Sequence, residues 1–393
     1  MDPRKNPYAP GAGTQPPELA GRDRLTEKAA IALDRIRSGK PARSIMLYGL
    51  RGVGKTVLLN RIRTEAEARG FITARMEAPE ERNLPALLVP ALRSMLIQLS
   101  LIANMKEKAG RALRAVANFA KSVSVKFGDV DINLDAATAL GIADSGDLEH
   151  DLGELLAAVG EAAREAGTAA VLFIDELQYV SEDELTALFA ALHRCGQDGI
   201  PVAMVAAGLP QLLGLAGRAK SYAERLFEFV PVDRLSFPDA EKALSVPAFA
   251  LGVKFEPGAI AGVYAQTEGY PYFLQEWGKH CWDLADRTPI TARDATHAAK
   301  AALAELDAGF FRVRYDRLAN AEKSYLAAMA ELGAGPHRSG DIAERMGKKV
   351  TACAPVRASL IKKGMIFSPA HGETAFTVPL FDGYMKRMKD QAG

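Results

Sequence analysis

The chain has 393 residues, 48% of them apolar and 25% charged, with a net charge of +1. That composition fits a folded protein of two or three domains and excludes a chain drawn as a whole to nucleic acid or anionic lipid. Charges break up every long apolar stretch, so no membrane span is expected, and three scattered cysteines (Cys195, Cys281 and Cys353) without metal-ligand spacing suit reduced thiols in the cytoplasm.

Residues 1–18 hold Pro3, Pro7, Pro10, Pro16 and Pro17 and predict an extended or mobile arm. The arm lacks the apolar run of a signal peptide. "RDRLTEKAAIALDRIRSGK" has helical spacing and stops at Gly39, and "RSIMLYG" reads as a buried strand. The next stretch, "GLRGVGKT", matches the phosphate-binding pattern G-x-x-x-x-G-K-[ST] and opens into a helix. "FITARME" is a second strand. Residues 80–150 form an excursion with an apolar helix near "LPALLVPALRSMLIQLSLIANM", a basic helix "KEKAGRALRAVANFAKS" and a hairpin-like "VSVKFGDVDINLD". The leucine-rich run is assigned to the core or to a partner-facing helix.

A capped helix, "DLEHDLGELLAAVGEAAREAG", then leads into the central strand "AAVLFIDELQYV", and "IPVAMVAAG" and "FEFVPV" complete a series of strands alternating with helices. Right-handed crossovers of this kind build a parallel sheet with both faces covered. The expected fold class is therefore α/β, a parallel-sheet P-loop core. Beyond Phe237 the strand pattern gives way to helices. The expected units are the arm (1–18), a core (19–236, with the 80–150 insertion), a helical lid (237–318) and a C-terminal domain (319–393).

In the phosphate loop, Gly49, Leu50, Arg51, Gly52, Val53, Gly54, Lys55, Thr56 and Val57 place backbone N–H groups and a helix N-terminus around an anion. Lys55 is expected on the β- and γ-phosphates of ATP and Thr56 on Mg²⁺. Four apolar residues run into Asp175 and Glu176 at a strand's C-terminal end, where ligands of parallel sheets bind. Asp175 suits the metal shell, and Glu176 is placed to polarise a water for attack on the γ-phosphate. A Glu able to hold water favours hydrolysis to ADP over transfer to a metabolite.

With these residues the chain resembles the AAA+ and STAND-like P-loop (ASCE) ATPases, in the branch related to origin-recognition initiators. "PPELAGRD", with Gly21, is similar to the segment that seats adenine in that group, and "GYPYFLQEW" to its G-x-P element, with Gly269 and Pro271 near the base. The resemblance implies a trans-acting arginine: Arg225, with Arg218 as competitor, or else a surface arginine paired with Glu224 or Glu228. It also implies a homo-oligomer or a partner protein. One departure stands out. The fourth strand of the group ends in Asn, Thr or Ser, whereas here Ala206, Ala207 and Gly208 offer no polar side chain. Slow, switch-like turnover is the expectation.

The segment 339–379 resembles a winged helix-turn-helix. From Pro336 onward, ten Lys or Arg face five Asp or Glu. Lys348, Lys349, Arg357, Lys362 and Lys363 are the candidate contacts to duplex DNA, Arg357 alone having the planar fork for a guanine edge. The alternatives are a solvated face and a protein-interaction module. His280, Cys281 and Trp282 read as the inward face of a lid helix and not as a metal site.

Overall fold

The computed structural model describes residues 1–11, 13–78, 83–101, 106–122 and 143–392. The hairpin expected within 123–135 lies outside the described residues. The first half of the chain runs α1 (Asp23–Arg37), β1 (Ser44–Tyr48), α2 (Lys55–Ala68), β2 (Ile72–Glu77), α3 (Leu84–Ser100), α4 (Lys106–Ser122), α5 (Leu148–Glu165), β3 (Ala170–Asp175), α6 (Glu182–Gln197), β4 (Val202–Gly208), α7 (Leu212–Ala219), α8 (Ala223–Leu226) and β5 (Phe227–Pro231). The strands form one parallel sheet in the order β2-β3-β4-β1-β5, with Met46 opposite Ala206 and Phe229, and Leu172 opposite Ala74 and Met204.

Side chains alternate across the pleat, so each strand feeds two cores. Ile45, Leu47, Val171, Phe173 and Val205 meet Ala29 and Leu33 of α1 and Leu58, Leu59 and Ile62 of α2. Met46, Leu172, Ile174 and Met204 face the opposite layer, built from α3 to α7. The two described helices of the 80–150 excursion are therefore part of the scaffold: Leu88, Leu92, Met95 and Leu96 of α3 and Val116 and Phe119 of α4 are fully or nearly fully buried against β2 and α5. Nothing membrane-related follows from its leucines, and no helix among the described residues is long and apolar enough to cross a membrane.

The second half runs α9 (Phe237–Phe249), α10 (Pro257–Thr267), α11 (Pro271–Leu284) and α12 (Ala292–Leu306), then a π-turn at Asp307–Phe311 and α13 (Arg312–Asp316). It continues as α14 (Asn320–Leu332), β6 (His337–Arg338), α15 (Ser339–Arg345), α16 (Val350–Lys362), β7 (Ile366–Phe367), β8 (Glu373–Phe376) and α17 (Phe381–Ala392). β8 lies between β6 and β7 in an antiparallel sheet. One continuous apolar core joins residues 235–385. Phe311 is its hinge-pin, fully buried, with ring centroids 6.2 Å from Phe273, 5.8 Å from Phe381 and 5.3 Å from Tyr384. The boundary anticipated after residue 318 thus crosses packed aromatic rings.

The N-terminal arm is extended but seated, in place of the mobile segment expected from its prolines. Tyr8 is 4% exposed and its hydroxyl donates to the Leu244 carbonyl. Asn6 Nδ2 donates to the Lys279 carbonyl at 3.0 Å and to Asp283 at 2.8 Å, and Trp282 Nε1 to the Asp2 carbonyl at 2.9 Å. Gly278 makes room for the arm, since a Cβ there would lie 2.8 Å from the Tyr8 ring. Proline content sets local stiffness; it says nothing of the aromatic anchor between the prolines.

Because Phe311 bridges lid and C-terminal unit, Phe311→Ala should destabilise both together, by about 3–5 kcal/mol. Urea unfolding followed by hydrogen exchange checks this. A lid that stays protected while the C-terminal unit melts would contradict the shared core.

Candidate functional site

The phosphate loop connects β1 to α2, and contacts from every layer of the molecule hold it. Gly54 caps α2 in the left-handed region (φ 89°), which an L side chain would strain. The Gly49 N–H donates to the Gly208 carbonyl at 3.3 Å, and the Tyr272 N–H of α11 donates to the Gly52 carbonyl at 3.1 Å. Arg22, nearly buried just before α1, donates to the carbonyls of Val53 at 3.0 Å and Asp233 at 2.5 Å. From the C-terminal unit, the Thr377 carbonyl accepts from the Arg51 N–H at 2.9 Å.

Lys55 opens α2 and is 7% exposed. Its Nζ donates to the carbonyls of Gly49 at 3.0 Å and Leu50 at 2.8 Å. Burial pushes its pKa down to about 8, against the pull of Glu176 and Asp175. Asp175, 2% exposed at the end of β3, is held above the usual carboxylate range by the same burial, although the Thr56 hydroxyl hydrogen-bonds it. A buried lysine beside a buried carboxylate and a hydroxyl leaves each charge short of solvation, a deficit that phosphate and a hard cation would relieve. The oxygen donors of Thr56 and Asp175 fit Mg²⁺ on that ground.

Glu176 sits at φ 53°, ψ 36°, an uncommon conformation for a residue with a side chain. The turn carries its backbone N–H to Asp175 Oδ1 at 2.9 Å. Its carboxylate accepts from Gln178 Nε2 and lies 3.9 Å from the Arg51 guanidinium. The departure at the end of β4 has a structural counterpart here. Gln178 Oε1 accepts from the Leu209 N–H at 2.9 Å, and a Cβ on Gly208 would come within 2.7 Å of that oxygen. Gln178 thus supplies the polar group at the strand end that Ala206, Ala207 and Gly208 lack.

The cavity beside the loop is lined by Arg51, Gly52, Val53, Gly54, Lys55, Thr56, Val57, Glu176 and Pro271 from the expected set. Gly49 and Leu50 support it through their carbonyls. Gly21 is not in the lining, but its neighbours Ala20 and Arg22 are, with Ala9, Pro10, Pro16 and Leu19 of the N-terminal segment forming an apolar wall. Tyr272 stacks on Phe310 with centroids 4.8 Å apart, and the Arg314 guanidinium lies 3.9 Å over the Phe310 ring and also lines the cavity. Burial, then Arg51, lowers Arg314 to about 10, which leaves it a cation aimed at a site built for anions. Gln178, Arg22 and Arg314 are additions to the expected set. Gln178 was visible only as the second residue after Glu176, and Arg314 reaches the loop from 263 positions away, a pairing no local pattern carries.

Arg225 stands elsewhere. It is exposed in a depression with Lys40, Arg43, Ser44, His193 and Tyr222, at the N-terminal end of β1 and so at the end of the sheet opposite its own loop. It makes no ion pair among the described residues. Arg218 pairs with Glu182 at 3.1 Å, and Glu228 with Lys28 at 2.6 Å. Two of the five candidate DNA contacts are engaged internally. Arg357 donates to Thr374 Oγ1 at 2.8 Å and to Ser368 Oγ and the Glu373 carbonyl at 2.9 Å, pinning the β7–β8 hairpin. Lys363 pairs with the buried Glu322 at 2.7 Å. Lys348, Lys349 and Lys362 are exposed.

Residues 18–205 match the family described as the AAA ATPase domain, and residues 308–385 match a domain of unknown function. No curated protein matches the chain by sequence. Among solved structures, the chain is similar to the Walker-type ATPase of Pyrococcus abyssi, with 16% identity and a TM-score of 0.58 over 95% of this chain and 97% of that one. It is also similar to the Aeropyrum pernix Orc1 protein solved in complex with DNA (15% identity, TM-score 0.47, 96% and 95% covered). A third is the Thermotoga maritima RuvB Holliday junction branch migration motor (15%, 0.45, 96% and 99%). The sheet order and the loop define an α/β P-loop ATPase fold, and within it residues 18–205 are similar to the AAA ATPase domain.

The depressed pKa of Lys55 sets a pH dependence. Charged Lys55 is the form that binds phosphate, and bound phosphate raises its pKa. ATP affinity should therefore be level below about pH 8 and fall by about tenfold per unit above it. Calorimetric titration across pH 7–10 checks this, and Lys55→Ala should bind weakly with a flat profile. The free protein behaves oppositely: burying a charged Lys55 costs stability, so its contribution improves as pH rises through 8 toward the ordinary lysine value.

Proposed function

We propose that the protein is a slowly hydrolysing ATPase in which nucleotide state sets the seating of a C-terminal winged-helix unit, and through it the grip on duplex DNA. One observation carries this reading. Arg51, inside the phosphate loop, gives its N–H to Thr377, and its guanidinium lies 2.9 Å from Tyr179 Oη, 3.4 Å from the Gly364 carbonyl and 3.9 Å from Glu176. A single residue therefore touches the phosphates' seat, the carboxylate proposed to act on water, and the C-terminal unit.

In this reading Lys55 and the N–H groups of the loop hold the phosphates of ATP, with Arg314 and Arg51 adding charge. The segment around Gly21 and Pro271 borders the base. Thr56 and Asp175 would hold Mg²⁺, which neutralises phosphate charge when bound. Glu176 accepts a proton from the attacking water, and Gln178 positions its carboxylate. Arg51 must release Glu176 for that role, so a seated C-terminal unit restrains hydrolysis. Arg225 can serve only a neighbouring copy, in a homo-oligomer. Lys348, Lys349 and Lys362 supply the DNA phosphate contacts.

A second reading is a STAND-type switch that acts through a protein partner. It is favoured by the internal use of Arg357 and Lys363, which leaves the winged helix with a modest basic surface.

Glu176→Gln should keep ATP affinity and lose turnover by about 10²-fold or more; unchanged turnover would remove Glu176 from the chemistry. For DNA, electrophoretic shifts with the ATP-bound chain should show affinity falling with salt. Replacing Lys348, Lys349 and Lys362 together by Ala should flatten the log–log slope by about three units. Full-length protein that ignores duplex DNA at about 50 mM salt, with turnover unmoved by DNA, would give the lead to the partner-protein switch.

A further inference from the structure

The lid contains a cluster that the nucleotide chemistry does not use. Glu276 and His280 lie one turn apart on α11, and α12 brings Glu305 against them, so that one ligand atom from each falls within 4.8 Å of the others. Glu276 is 3% exposed and, among the described residues, accepts no hydrogen bond and has His280 Nε2 at 3.7 Å as its ion-pair contact. That imidazole nitrogen is itself fully covered, and its contact is the ion pair with Glu305 Oε2 at 2.9 Å. A buried carboxylate and a buried imidazole nitrogen thus meet a second carboxylate with only one another as ion-pair partners among the described residues, apart from Lys279 on Glu305. Native interiors rarely leave such groups alone.

We propose that Glu276, His280 and Glu305 form a binding site for a divalent cation of the zinc class, water completing the coordination. A tetrahedral zinc site with bonds of about 2.0 Å spaces its ligand atoms about 3.3 Å apart. The observed 2.9 and 3.7 Å bracket that spacing, and the two carboxylate oxygens lie within 4.8 Å of each other. Two carboxylates and one imidazole suit zinc, cobalt or manganese; magnesium and calcium prefer oxygen alone. The site is therefore separate in chemistry from the one at Thr56 and Asp175.

Its neighbours are consistent with this use. Lys279 Nζ also lies 2.9 Å from the same Glu305 Oε2 and stands in for a cation there; a bound ion would take its place at that oxygen. Asp283 adds negative charge nearby, and the charges of Glu276 and Glu305 are felt at the Tyr272 hydroxyl. Burial, then Glu305, pushes the Glu276 carboxyl up to about 7, and burial holds His280 below its ordinary value. Each group resists the charge it would carry alone, and a bound cation lifts that resistance for the carboxylate while taking the imidazole neutral. The ion would clip α11 to α12 directly behind Tyr272 and Gln275, which line the nucleotide cavity. The sequence pointed the other way, to an inward-packing helix, because Glu305 joins only when α12 folds back.

The test uses tag-free, chelator-treated, nucleotide-free full-length protein titrated with Co²⁺. The expected result is one equivalent giving visible ligand-field absorption, no near-ultraviolet sulfur band, displacement by Zn²⁺ and indifference to millimolar Mg²⁺. Cys281→Ser should leave the spectrum intact. Glu305→Gln changes an exposed side chain, so circular dichroism should confirm its fold. It should weaken Co²⁺ by about tenfold or more and lose the rise in melting temperature that Zn²⁺ confers on the wild type. His280→Ala should abolish the band. A wild-type protein without a stoichiometric band, or one whose band survives in Glu305→Gln and His280→Ala, overturns the proposal. Neither result bears on ATP binding, which is read separately.

Discussion

The hydrogen bond from the Arg51 N–H to the Thr377 carbonyl is the contact on which the arrangement turns. A phosphate loop must hold its shape while turning N–H groups toward an anion, and here the N–H groups of Gly49 and Arg51 and the carbonyls of Gly52 and Val53 are fixed from outside it. Here the lid takes Gly52, the start of α1 takes Val53, β4 takes Gly49 and the C-terminal unit takes Arg51. Each unit therefore reports on the loop, and the loop on each. No separate relay is required, because the four contacts fall within five consecutive residues.

Burial gives that geometry its electrostatic leverage. Lys55, Asp175 and Glu176 crowd around a loop with little water, and burial moves Lys55 and Asp175 toward their neutral forms. In the proposed reading a triphosphate with its metal would supply the missing charges, and occupancy would change the balance at Glu176 and hence at Arg51. The protein then has a physical reason to respond to nucleotide even where turnover is slow. The polar group at the end of β4 comes from Gln178, in the short turn that follows β3, and it is occupied with Leu209 and Glu176.

Much of the core was legible locally. The five strands, the loop and the Asp175–Glu176 pair follow from apolar runs, glycine spacing and strand ends, features that a few neighbouring residues determine. What escaped depends on distant segments meeting. Tyr8 anchors an arm that proline content alone would leave loose. The leucines of α3 are scaffold because β2 lies beneath them. Arg314 enters the nucleotide cavity from beyond the lid, and Glu305 joins Glu276 and His280 only through the α11–α12 turn. Arg357 and Lys363 show the reverse case. As sequence they are free cations on a basic helix; in the fold, Thr374, Ser368, Glu373 and Glu322 already hold them.

The central claim is that the C-terminal unit is coupled to the nucleotide through the loop. Amide hydrogen exchange of residues 359–378, with and without a non-hydrolysable ATP analogue and Mg²⁺, measures it most directly. The account predicts that nucleotide changes protection at Gly364 and around Thr377 together with Arg51, and that Arg51→Ala uncouples the two while the analogue still binds. Protection of 359–378 that is identical in both states, with the loop itself clearly protected by nucleotide, would contradict it.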